Sequence, residues 1–151
     1  MYKLDTIQKR VDVFLSDGSS IPGSFFLEVK SSTHSGNQSL FDLLTNEISY
    51  FPFRLEDGEI ILIQRDSIVM VALKEKDFDQ ELSSRKEIPV EVCFISGETL
   101  EGKVYSDMPT SNARLSDFLN DAKRFFYIEV EEKDYFVNSR SIKMIRPVPS
   151  Q

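Results

Sequence analysis

Tryptophan is absent from this 151-residue sequence, histidine and cysteine each occur once, and glycine and proline six times each. The single cysteine, Cys93, excludes an intramolecular disulfide, and the single histidine, His34, excludes a His-rich metal centre. The longest uninterrupted apolar run, Ile68 to Leu73, is six residues, against the ~20 that a membrane-spanning helix needs. The opening residues Met1 to Thr6 hold no apolar stretch of the kind that marks a cleaved export signal, so the expected location is the cytoplasm. Positive charge is the scarcer sign. Eighteen Lys+Arg against 25 Asp+Glu leave a net charge of −7, which repels phosphate backbones and acidic membranes. Nucleic acid and membrane are therefore not expected partners. A glycine-rich phosphate loop is missing as well, and no cofactor is implied.

What remains is enough for a core. Hydrophobic residues make up 40% of the chain, and its aromatics are 12 Phe and 5 Tyr. This bias suits strands better than long helices. The length fits one ordinary domain or two very small ones.

An internal repeat favours two. Val11-Asp12-Val13-Phe14-Leu15-Ser16-Asp17-Gly18 aligns with Val90-Glu91-Val92-Cys93-Phe94-Ile95-Ser96-Gly97 at an offset of 79, which also pairs Gly23 with Gly102 and Phe26 with Tyr105. The offset falls to 75, where Leu40 to Leu44 meets Leu115 to Leu119 and Phe51 meets Phe126, and then to 74, where Ser67 to Val71 meets Ser141 to Ile145. Insertions between matched blocks are what loops tolerate. The sequence thus reads as a tandem duplication: a first repeat over 1–73, a charged linker over 74–87 and a second repeat over 88–151.

Each copy predicts about five short strands. Val11, Val13 and Leu15 alternate with Asp12, Phe14 and Ser16, and Asp17-Gly18 and Ser96-Gly97 are turn signals. Gly23 and Gly102 fall inside the second strand, where glycine marks a bulge or a sharp bend. A third strand is expected over Ser49–Leu55 and Arg124–Glu131. A hairpin follows over Glu59–Gln64 and Ser67–Leu73, mirrored by Tyr135–Asn138 and Ser141–Val148. Between strands two and three, Leu40, Leu43 and Leu44 fall at helical spacing, as do Leu115, Phe118 and Leu119. Ser39 and Asn112 are the expected N-caps, and Asn46 and Asn120 the expected C-terminal stops. Helical turns are expected over Leu4–Lys9 and within the linker, where Phe78 and Leu82 are four apart.

With this pattern in place, Val11 to Gly23, Val-x-Val-x-Leu-x-Asp-Gly-x-x-x-x-Gly, resembles the first half of an Sm-like barrel. Gly58 to Val71 resembles the second half, in which a hairpin turn often reads Arg-Gly-Asp or Arg-Gly-Asn and is followed by Ile-x-x-Ile. The resemblance implies a mainly β fold of two tandem five-stranded Sm-like (SH3-like) barrels, each with a short helix inserted between strands two and three. Separately, Arg114-Leu115-Ser116-Asp117-Phe118-Leu119-Asn120, followed by Phe126 and Val137-Asn138-x-x-x-Ile142, is similar to an uncharacterised bacterial family marked by an Arg-Leu-Ser-Asp-aromatic-Leu-Asn string.

Sm-like proteins are often RNA binders, and the resemblance implies a base pocket built from two loops. One loop has its counterpart in Gln64-Arg65-Asp66 and Asn138-Ser139-Arg140, so Arg65, Asn138 and Arg140 are the residues of an RNA-binding reading. The other has no clean counterpart. Neither half is basic: residues 1–79 carry 8 basic and 13 acidic side chains, the remainder 10 and 12. No cluster of Lys or Arg interleaved with aromatics offers a stacking platform. Catalysis is not expected either. His34 sits in a polar loop without a Cys nearby. Cys93 reads as a small core or interface residue, and Glu131, Glu132 and Asp134 as a solvated turn without calcium-ligand spacing. Arg85-Lys86-Glu87 is similar to the start of cyclic-dinucleotide-binding PilZ barrels, but the second arginine and the Asp-x-Ser-x-x-Gly of that family are missing. The expectation is a non-catalytic protein-interaction or scaffold module. Arg114, Asp117 and Asn120 are its candidate partner-binding rim, and self-association through barrel edges is expected.

Overall fold

A computed structural model describes residues 6–29, 38–75, 86–106, 115–116, 119–120 and 124–149. The chain is mainly β and divides into two units, Met1–Lys74 and Glu75–Gln151.

In the first unit the strands are β1 (Thr6–Leu15), β2 (Ser20–Glu28), β3 (Tyr50–Leu55), β4 (Ile60–Gln64) and β5 (Ile68–Leu73). They form an antiparallel sheet in the order β5-β1-β2-β3-β4. In the second, β6 (Lys86–Phe94), β7 (Thr99–Ser106), β8 (Phe125–Val130), β9 (Lys133–Asn138) and β10 (Ile142–Pro147) take the order β10-β6-β7-β8-β9. Residues aligned by the repeat thus occupy equivalent strands. Among the described residues neither sheet closes on itself: β4 is bonded only to β3, and β10 only to β6.

The first strand corrects an expectation. Thr6–Lys9, read as a helical turn, continues β1, with Thr6 opposite Glu28 and Lys9 opposite Phe25. This stretch is largely exposed, so it carries no buried period from which to recognise a strand. Lys86 and Glu87, assigned to the linker, likewise open β6 opposite Ser106 and Tyr105. Phe78 and Leu82 lie outside the described residues.

The central glycines mark close approach. The β1–β2 register runs unbroken through Val11 opposite Gly23, and β3 crosses at Gly23 opposite Leu55. A Cβ at Gly23 would meet the Arg54 carbonyl and the Phe53 ring. At Gly102 it would stand 2.6 Å from the Glu129 carbonyl and 2.8 Å from Ile128. The bulges lie elsewhere. The β1–β5 register passes from Phe14 opposite Met70 to Leu15 opposite Ile68, and the β6–β10 register from Cys93 opposite Met144 to Phe94 opposite Ile142. Val69 and Lys143, which the repeat aligns, are the extra residues.

Alternate positions of β1 to β5 build the first core. Val11, Val13, Phe25, Leu27, Phe51, Phe53, Ile63, Ile68 and Val71 are buried. Phe25 sits edge-on to Phe51 and Phe53, with ring centres 5.8 and 5.0 Å apart, a favoured aromatic geometry. Helix α1 (Leu40–Thr45) lays the expected face, Leu40, Leu43 and Leu44, into this core. Ser39 caps it reciprocally: its hydroxyl accepts the Asp42 N–H at 3.0 Å, and the Asp42 carboxylate accepts the Ser39 N–H at 3.1 Å. Asn46 ends it in an extended conformation, φ −63°. In the second unit Val90, Val92, Val104, Phe125, Ile128, Phe136 and Val137 are buried, and Cys93 joins them as a free thiol.

Candidate functional site

The residues of the RNA-binding reading meet short 3-10 turns after β4 (Arg65–Ser67) and β9 (Ser139–Ser141). Arg65 points back across the fold. Its Nη1 donates to the Asn46 carbonyl at 2.6 Å, so its guanidinium ties off the end of α1. Asn138 is fully buried, and its Oδ1 accepts the Arg140 N–H at 3.0 Å and the Arg124 Nε–H at 3.2 Å. Both side chains shape turns. Arg140 alone of the three is exposed.

For the partner-binding rim, Arg114 and Asp117 lie outside the described residues, as do Phe118, Asn112 and His34. Asn120 is exposed and its Nδ2 donates to the Ser116 hydroxyl at 3.2 Å. Leu115 is buried. Leu115, Ser116, Leu119 and Asn120 form one wall of an open cleft of about 400 Å³, with Ile145 and Pro147 of β10 opposite.

A polar cluster on the second sheet was not foreseen. The Tyr105 hydroxyl donates to the Glu129 carboxylate and lies 3.4 Å from Glu87, which Lys103 also approaches at 3.4 Å. Burial, the Glu129 hydrogen bond and the two negative charges push the Tyr105 hydroxyl well above the ordinary phenol range. Beside it, Tyr127 donates to Asp134 at 2.7 Å, and Asp134 is completely buried. This corrects the solvated-turn reading of Asp134; only Glu131 and Glu132 form the exposed turn. Tyr127 supplies one hydrogen bond to the acid, and nothing in the sequence pairs residues 127 and 134 until β8 and β9 form a hairpin. Among the described residues no group of three His, Cys, Asp or Glu could hold a metal ion.

The β3–β4 hairpin carries a group of exposed apolar side chains. Tyr50 and Ile60 are each 54% exposed and Leu62 66%, on the face opposite Phe51, Phe53 and Ile63. Pro52, opposite Leu62, extends the same face. Its missing N–H costs no hydrogen bond to β2, because the described β2–β3 pairing stops at Phe53. Leu62 therefore stands at an open sheet edge. Nothing in Glu59-Ile60-Ile61-Leu62-Ile63 distinguishes such a strand from a buried one; sheet order does. In comparisons with known proteins, no family model matches the chain, and no match is found among the curated proteins or the solved structures.

Proposed function

We propose that the chain is a non-catalytic protein-interaction module of the bacterial cytoplasm, built from two tandem five-stranded Sm-like (SH3-like) barrels that a gene duplication joined. The shared strand order and the matched close-approach glycines support the barrel reading. The observation that carries the function is the β3–β4 edge. A strand edge with unmatched backbone groups and exposed Ile60 and Leu62 is what sheet-forming partners add to. The Leu115–Leu119 cleft, with Asn120 on its wall and Arg114 and Asp117 in the same string, is the second contact surface of this reading.

The RNA-binding alternative has less support. Arg65 is engaged with Asn46, Asn138 is buried, and Arg140 is left as the exposed cation of the two turns in a chain of net charge −7. The discriminating experiment uses the tagged full chain and its Leu62→Lys variant as baits in the native host, with protein and RNA both identified. The expected outcome is a defined set of proteins retained by the first bait and lost by the second. RNA recovered through Arg140, with an unchanged protein set, would reverse the ranking.

A further inference from the structure

We infer that β4 pairs with β4 of a second copy of this chain, antiparallel and centred on Leu62, so that one sheet runs on into the other. The inference rests on reading the β3–β4 edge as an interaction surface, and it names the occupant.

Backbone alternation sets the register. Leu55 N–H donates to Glu59 at 2.7 Å and Arg65 N–H to Ser49 at 2.8 Å. In an antiparallel ladder hydrogen-bonded positions alternate, so Glu59, Ile61, Ile63 and Arg65 face β3. The backbone groups of Ile60, Leu62 and Gln64 face the open edge. A two-fold axis at Leu62 sets Leu62 against Leu62 of the second copy and Ile60 against Gln64. Every outward position then meets an outward position. The Gln64 carbonyl already accepts the Ser67 hydroxyl at 2.7 Å and opens the 3-10 turn, so Gln64 contributes its N–H to this pair. Side-chain chemistry agrees with this register. Ile60 to Gln64 carries no charge, so no like charges meet across the axis, and at both ends the position of Glu59 falls opposite that of Arg65, whose guanidinium keeps its Asn46 contact.

The contrast with β10 argues against that strand as the occupant. It also has one neighbour, but it carries the exposed Lys143 and, near its end, Pro147, which has no N–H to offer a partner. These are the devices that keep edges from pairing. β4 has neither of them, and its pairing with β3 runs from Ile60 to Gln64 without a shift.

The test uses the purified full chain in analytical ultracentrifugation from about 1 to several hundred micromolar, with Leu62→Lys and Leu62→Glu, alone and mixed. A two-fold pairing sets residue 62 against itself. The expected result is a species of twice 17.4 kDa, weakened at least tenfold in each variant alone and recovered when they are mixed. At concentrations where the wild type is monomeric, both variants should melt as it does, because Leu62 is largely exposed. A wild type that stays monomeric throughout, a dimer indifferent to both substitutions, or assemblies that keep growing with concentration would each overturn the inference. If such a monomer still loses host proteins on Leu62→Lys, β4 serves a different partner and only the inference falls. If Leu62→Lys changes neither readout, the interaction reading falls with it.

Discussion

Glycines in this chain are needed for two different reasons, and substitution separates them. At Gly97 the backbone has φ +98° with open space around the missing side chain, so Gly97→Ala should cost about 1–2 kcal/mol in left-handed strain alone. At Gly102 the backbone is ordinary, but a methyl would press on the Glu129 carbonyl and Ile128. Overpacking of that kind costs about 1–3 kcal/mol, and because a carbonyl cannot swing aside, Gly102→Ala and Gly23→Ala should fall at the upper end in urea unfolding. The opposite substitution is expected to stabilise. Glu131 and Glu132 form a two-residue hairpin turn with φ of 52° and 67°, the region that favours Asn-Gly. Glu132→Gly should therefore raise the unfolding free energy by about 0.5–1 kcal/mol, the relief of strain less the entropy of glycine. Tyr105 supplies a pH dependence. Its hydroxyl titrates higher folded than unfolded, so its contribution is fully present below the unfolded value of ~10 and is lost as pH rises through the raised folded one. Unfolding free energies measured from pH 8 to 11 should decline less steeply in Tyr105→Phe.

Secondary elements were legible wherever one face is buried. The spacing of Leu40, Leu43 and Leu44 announces α1, and Ser39 with Asp42 closes its first turn; Ser39→Ala should cost about 0.5–2 kcal/mol in thermal or chemical unfolding. Arg65, read as an RNA contact, instead ties α1 to the turn after β4. Arg65→Ala should lower stability by about 1 kcal/mol; an unchanged melt would free Arg65 for another role. Illegible features are those that depend on neighbours distant in sequence. The start of β1 is exposed and pairs only through backbone bonds to β2, so no pattern marks it. The bulge at Val69 sits inside the apolar run Ile68–Leu73, where burial on both faces hides the change of phase. Asp134 looks like a solvated acid until β8 brings the Tyr127 hydroxyl to it.

At the scale of the whole molecule, the proposed role rests on an exposed apolar strand at a sheet edge. Net charge is negative, the one thiol is buried, and Ile60 and Leu62 of β4 are among the exposed large apolar side chains. Composition carried the first of these statements and the repeat suggested two units, but the identity of the open strand came only with sheet order. The central claim is that β4 offers a bare backbone edge to another strand, and residue-resolved amide hydrogen exchange tests it most directly. In dilute solution the amides of Ile61 and Ile63, bonded to β3, should exchange slowly, while those of Ile60, Leu62 and Gln64 exchange as fast as loop amides; at high concentration the amides of Leu62 and Gln64 should become protected. A Leu62 amide already as slow as that of Ile63 in the dilute monomer would mean that the edge is covered within the chain, and would contradict the account.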